Sequence, residues 1–246
     1  MTTMFGIPLT TLSVLWAGAF IGALAAGGTG FAFAIAASAI WLHALDPLQT
    51  TALIVACGTL LHISLVWPIR ASIEGARLSP FLLGALIGVP IGVVMLTRVD
   101  SATLKLALGC GMAAYGIYAL LASRLPHVAG GGRAADIAIG FFGGIMGGLG
   151  GYSGLLPTIW TQLRGWPKSV ARGVYQPFIL FAHVLTLALV GAFAVDQDGF
   201  VLFLLALPPL CLGAWVGLRI YGHLDEVRFK KMLALMILAS GVLFLI

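Results

Sequence analysis

The sequence predicts an all-α polytopic membrane protein, and three observations carry that prediction. Hydrophobic residues make up 61% of the 246 positions and charged residues only 9%, with a mean hydropathy of +1.10; a water-soluble fold has no use for that much apolar surface. The apolar residues fall in long runs at about 10–42, 48–69, 79–97, 103–122, 135–163, 170–193, 199–218 and 231–246, bordered by charges and turn formers. Most have the roughly 20 residues that one helical crossing requires. The two longest, the first and the fifth, are interrupted by glycines, at Gly27-Gly28-Thr29-Gly30 and at Gly147-Gly148-Leu149-Gly150-Gly151. Backbone released from a helix inside a bilayer is tolerated only where it is buried in protein or lines a watery cavity, so each break is a candidate site.

No linker or low-complexity stretch divides the chain, and residues 1–246 read as a single transmembrane domain. The formal net charge is +5, but the Lys and Arg residues cluster between apolar runs, where they act as orientation signals rather than as a nucleic-acid surface. The expected partners are the lipid bilayer and a small substrate; nothing in the pattern speaks to oligomeric state. The start of the chain, with Thr2, Thr3 and Pro8 and no Lys or Arg before the first run, lacks the charged region of a secretory signal peptide, and no cleavage is expected. Cys57, Cys110 and Cys211 lie singly in separate runs and read as small buried hydrophobes. The five histidines are equally scattered, so neither a metal nor a cofactor is expected. The glycine stretch follows no predicted strand and is not followed by GK[ST], which removes a nucleotide loop.

The halves repeat. At an offset of 121, Phe20 matches Phe141, Gly22 Gly143, Gly27 Gly148, Gly30 Gly151, His62 His183, Leu83 Leu204, Gly92 Gly213 and Arg98 Arg219. After a short insertion near 222–226 the offset becomes 125, and Lys105 matches Lys230 while Gly116 matches Gly241. Matches among His, Arg, Lys and Gly carry the weight, because apolar coincidences are cheap in such a chain. Repeat 1 is taken as 10–122 and repeat 2 as 135–246, two four-segment units occupying about 1–122 and 123–246.

The positive-inside rule distinguishes two ways of threading these units. If each glycine break turns the chain back, each long segment is re-entrant, each half crosses three times and the halves are inverted. Arg70, Arg77, Arg124, Arg133, Arg164, Lys168, Arg172, Arg219, Arg228, Lys230 and Lys231 then share one side, against Arg98 and Lys105 on the other, eleven to two. If all eight runs cross fully, the halves are parallel and the split weakens to nine to four. The re-entrant, inverted arrangement is favoured, with eight full spans as the alternative.

The residues after each break begin second half-helices, whose free N–H groups and positive dipole ends favour an anion. Thr29 and Ser153 add hydroxyls, next to Gly27, Gly28, Gly30, Gly148, Gly150 and Gly151. Gly22, Gly92 and Gly213 are read instead as close helix packing. His62 and His183 are the most polar groups deep in their runs and either contact substrate or proton, or simply donate to a carbonyl freed by a broken helix. Steps of four, three and four place Arg172, Gln176, Ile179 and His183 on one helical face, with Tyr175 at its mouth, whereas the first half offers Thr51, Val55, Gly58 and His62. Arg172 is also close enough to a border to be an anchor. Pro90, Pro177, Pro208 and Pro209 are expected to kink or loosen their helices, and the tryptophans are explained as belt or packing residues. All eight Asp and Glu fall at run borders, which makes an anion carrier easier to support than a cation carrier.

Two halves, each opening with a glycine-interrupted helix, GALAAGGTGFAF and GGIMGGLGGYSGLLP, and each continuing through three apolar spans, resemble the TauE/SafE family of membrane transporters. The resemblance covers nearly the whole chain. It implies a secondary transporter moving sulfite, organosulfonates or other small sulfur-containing anions across a bacterial inner membrane, with no enzymatic step. The first half departs from the family pattern in having no proline soon after its glycines, where the second has Pro157. A rival reading is an intramembrane serine protease, because Gly151-Tyr152-Ser153-Gly154 fits GxSG and His183 could serve as base. Against it, Ser153 aligns with Ala32 across the repeat, and duplication of the whole chain suits alternating access better than one catalytic dyad.

Overall fold

The computed structural model describes residues 3–4, 7–96, 98, 101–121, 127–194, 197–223 and 225–245. Two short strands, β1 (Thr3–Met4) and β2 (Ile7–Pro8), pair antiparallel. Everything after them is helical: α1 (Leu9–Thr29), α2 (Phe33–Trp41), α3 (Pro47–Val66), a 3-10 turn over Trp67–Ser72, α4 (Gly75–Leu96), α5 (Ser101–Leu121), α6 (Gly132–Gly150), α7 (Leu155–Leu163), α8 (Lys168–Ala194), α9 (Gln197–Gly222) and α10 (Glu226–Leu245). Among the described residues, five helical stretches are long and apolar enough to cross a membrane: Leu9–Thr29, Leu48–Ser72, Gly75–Leu96, Lys168–Val190 and Gly199–Gly222. Shorter apolar helices cover Gly109–Leu121 and Ala234–Leu245.

Both glycine breaks are sharp turns. α1 ends on Gly30 at φ 88° and α6 on Gly151 at φ 78°, each in the left-handed region that only glycine adopts without strain. After the first turn, α2 folds back along α1: Phe33 and Ala37 crowd Gly22, and Trp41 Nε1 reaches the Leu15 carbonyl at 3.0 Å. After the second, α7 folds back along α6, bringing Pro157 beside Gly143 and Ser153 beside Gly147. α2 and α7 are nine residues each. The long helices that follow start at Pro47 and Lys168 (168 − 47 = 121), the offset found in the sequence. Asp46 starts α3 by accepting from the Leu48 and Gln49 N–H groups at 2.9 Å, with Pro47 in the first turn where its missing N–H is harmless.

The main packing pairs join one half of the chain to the other: α1 with α9, α4 with α6, α5 with α10, and α3 with α8. On α4, Gly84, Gly88 and Gly92 sit four residues apart and face α6 backbone around Gly140, Phe141, Ile145 and Gly148; small residues at this spacing let helix backbones touch where lipid provides no hydrophobic drive. Gly213 and Gly217 do the same for α9 against α1. The expected packing role of Gly22, Gly92 and Gly213 is therefore what they perform. Large apolar side chains point outward on these helices, among them Leu83, Ile87, Val94, Leu212 and Trp215, as a lipid-facing belt requires. Pro80 and Pro90 lie inside α4, Pro177 inside α8, and Pro208 and Pro209 inside α9, and each helix continues through them.

One border carboxylate is less peripheral than its sequence position suggests. Asp136, in the second turn of α6, is buried and accepts from Trp160 Nε1 at 2.7 Å. Trp160 thus clamps α7 to α6 and is more than a belt residue.

Candidate functional site

The first break rests against the inward-turned face of α8. Arg172 is 1% exposed; its Nη2 donates to the Gly27 carbonyl at 3.2 Å, and its guanidinium stacks on Tyr221 of α9 at 3.7 Å from the ring centroid. Gln176, oriented with its amide oxygen toward the guanidinium, accepts from Arg172 Nε at 3.2 Å and Nη2 at 2.8 Å and donates to the Leu65 carbonyl at 3.3 Å. Tyr175 donates from its hydroxyl to the Thr29 carbonyl at 2.6 Å. A side chain at Gly30 would collide with the Gln176 amide, the Tyr175 ring and Arg172 Nε, all 2.6–3.0 Å from where its Cβ would stand.

The charge of Arg172 is not balanced by any side chain the structure describes. The ion pairs among the described residues are Arg77–Glu74 and Arg228–Asp225, and Arg172 Nη1 has no hydrogen-bond partner. A buried cation without a counter-ion is disfavoured by several kcal/mol, about 3–5 when a partner is removed. The border-anchor reading of Arg172 fails on this point: an anchor keeps its head in the interface, and this one turns into the protein, onto the backbone of a broken helix.

The second break has a different wall. A side chain at Gly151 would run into the Ile54 side chain of α3, and the Gly151 carbonyl lies 3.1 Å from His183 Nε2. For His183, the expected hydrogen bond to a freed carbonyl is thus observed. His62 packs edge-on against His183. Ser153 is buried and its hydroxyl is unpartnered, whereas the Thr29 hydroxyl is already used, donating to the Ala25 carbonyl at 2.8 Å. Because Ser153 Oγ makes no hydrogen bond and His183 Nε2 is engaged by backbone, the serine–histidine dyad of the protease reading is not assembled.

The breaks meet. A Cβ on Gly154 would stand 2.9 Å from that of Phe31, and one on Gly151 would stand 3.6 Å from that of Ala34. α2 and α7 both begin there without a side-chain cap, so first-turn N–H groups of two helices face the same region. Of the candidate residues, Gly30, Gly151, Thr29, Ser153, Arg172, Gln176, His62 and His183 gather around this junction. Gly27 and Gly28 instead face α9 and α10, Gly148 faces α4, and Gly150 abuts the Tyr152 ring; of these, Gly27 still offers its carbonyl to Arg172. The site also recruits Tyr221; elsewhere on α7 and α8 the buried hydroxyls of Thr158 and Thr186 have no hydrogen-bond partner among the described residues. Thr186 continues the Arg172–Gln176–Ile179–His183 spacing by three and was findable on that ground; Tyr221 comes from another helix and leaves no local signal. Toward one end of the molecule, Tyr152 stacks edge-on against Phe244, which lines a cavity of about 490 Å³ together with Ser38, Leu42, His43 and Leu106.

A buried cation set on a helix break inside an apolar helical bundle defines a polytopic membrane protein with a polar interior site. The model of the sulfite exporter TauE/SafE family matches residues 14–244, and the chain belongs to that family. Its members are membrane transporters and not enzymes. No curated protein and no solved structure matches the chain.

Proposed function

We propose that this protein is a secondary transporter of a small sulfur-containing anion such as sulfite or an organosulfonate, held where the two helix breaks face each other. The observation that carries this reading is the cation: Arg172 is buried, no carboxylate among the described residues pairs with it, and an anion supplies the balancing charge. Gly30 and Gly151, with Gly27, Gly28, Gly148 and Gly150 shaping the turns, bring backbone N–H groups to the anion; Thr29, Ser153 and Gln176 line it. The halves act as inverted repeats, with α1–α2 and α6–α7 as re-entrant hairpins in an inner membrane, so that the site opens alternately to either side.

The test is counterflow of labelled sulfite, thiosulfate and methanesulfonate in proteoliposomes. Saturable, protein-dependent exchange of at least one is expected, reduced but present in Ser153→Ala; absence of exchange for all three overturns the assignment. For the threading, cysteines placed at Gln197 and Ala76 in a cysteine-free background should differ, with only Gln197 labelled from outside. Labelling at both positions sinks the inverted arrangement.

A further inference from the structure

The two histidines matched at an offset of 121 touch each other across the boundary between the halves. His62 of α3 and His183 of α8 lie with ring centroids 5.4 Å apart and planes at 70°, both buried. Neither ring nitrogen of His62 has a hydrogen-bond partner among the described residues, nor does Nδ1 of His183. Nε2 of His183 faces the Gly151 carbonyl. A carbonyl accepts, so Nε2 carries the hydrogen, and in the neutral ring Nδ1 is a bare lone pair. That lone pair faces the backbone of Gly58, where the missing side chain lets the ring approach. Leaving a buried polar atom unpaired costs about 1–3 kcal/mol, and three such nitrogens on two adjoining rings mark a site whose partner is something other than the resting protein.

We propose that the His62–His183 pair is a proton site, and that a proton held on it travels with the anion; this rests on the anion-carrier reading above. The step moves one proton from water to a ring nitrogen and breaks no other bond. Protonated at Nδ1, His183 becomes a double donor. Nε2–H stays on the Gly151 carbonyl, and the new N–H has the Gly58 backbone and the free nitrogens of His62 within its surroundings. The second break is thereby tied to the proton, because Gly151 is both the turn residue of α6 and the acceptor for His183.

The charges around the pair make proton and anion bind together. Along α8 stand Lys168, whose Nζ lies over Tyr221, Tyr175, and Arg172, which acts on His62 through space. From α3 comes Cys57, and from the 3-10 turn Arg70, which is turned back onto the Trp67 carbonyl. α2 and α7 bring no ionisable side chain. α4 brings Arg77, paired with Glu74; α6 brings Arg133 and Asp136 near its start, the latter held by Trp160; α9 brings Asp198, Cys211, Arg219 and Tyr221, of which Arg219 lies over Trp215. No carboxylate in the described structure pairs with the histidines. A second buried positive charge about three turns along α8 from Arg172 is unfavourable until an anion arrives, and the anion is held more tightly once the charge is there; the linkage is reciprocal.

The test uses the full chain in proteoliposomes loaded with a pH-sensitive dye, with the membrane potential clamped and labelled methanesulfonate and thiosulfate as probes. Both are anions of strong acids, so any proton that moves with them is carried by the protein. Counterflow at equal pH is measured first, because its absence fails the carrier reading and not the proton site specifically. With counterflow present, a pH gradient should drive accumulation of the anion in the wild type, with about one proton moving per anion. His62→Gln and His183→Gln should lower the ratio of protons to anions toward zero. Counterflow with no proton movement in the wild type overturns the proposal. So does an unchanged ratio in both variants, and so does loss of all exchange in both, which would make the pair part of the anion site alone.

Discussion

The two breaks share a turn and differ in what leans on it. Each ends a long helix on a left-handed glycine, Gly30 or Gly151, and each is followed by a nine-residue helix that folds back. Against Gly30, α8 sets Arg172, Tyr175 and Gln176; the positions 121 earlier on α3 are Thr51, Ile54 and Val55, and it is Ile54 that stands against Gly151. The turns are thus alike while the walls differ, one set by Arg172, Tyr175 and Gln176 and the other by Ile54 and His183. Geometry for presenting N–H groups needs glycine at a turn, which both breaks have, whereas a fixed positive charge needs only one arginine, which one wall supplies.

The sharpest way to break this comparison is to remove the cation. Arg172→Met should weaken anion affinity by ~2–4 kcal/mol, about 30- to 1000-fold, while the melting temperature in detergent does not fall, because an apolar replacement relieves an unpaired buried charge. Unchanged affinity would return Arg172 to the role of an anchor. Next in size, alanine at either turn should cost ~1–2 kcal/mol for the left-handed backbone. Each should cost a further ~1–3 kcal/mol from overpacking, Gly30→Ala against Gln176, Tyr175 and Arg172 and Gly151→Ala against Ile54, and adding Ile54→Ala should recover part of the loss in Gly151→Ala only. No recovery on adding Ile54→Ala, or the same recovery in Gly30→Ala, would show that the Ile54 wall does not matter to the second turn.

Smaller effects separate the polar wall's own members. Tyr175→Phe removes the hydroxyl that donates to the Thr29 carbonyl and should lower stability by ~0.5–1.5 kcal/mol, read as a shifted thermal transition. Ser153→Ala deletes a hydroxyl that bonds nothing in the described structure; it should leave the thermal transition in place and weaken anion binding by ~0.5–1.5 kcal/mol. A clear fall in melting temperature for Ser153→Ala would mean that the hydroxyl serves the fold.

Much of this was legible in the residues. The breaks announce themselves because glycine clusters are conspicuous within apolar runs, and the starts of α2 and α7 fall where the glycines end. His62 and His183 were paired by register before they were seen to touch. Other roles were not legible. Arg172 lies four residues into α8, where sequence position alone suggests an interfacial anchor; only the tertiary structure sets its side chain against the Gly27 carbonyl of α1 and the Tyr221 ring of α9. Tyr221, a long way along the chain, becomes its stacking partner for the same reason. The sequence places a hydroxyl, Thr29 or Ser153, at each break, and only the structure shows that Arg172, Tyr175 and Gln176 all stand against the first.

By itself the sequence determined the helical class, the two breaks and the family, since each of these is written in local composition and spacing. The tertiary structure decided which helix face stands against which break, that no described carboxylate pairs with the buried cation, and that the two histidines meet. Those are properties of helices packed across the two halves, and helical periodicity specifies a face without specifying its partner.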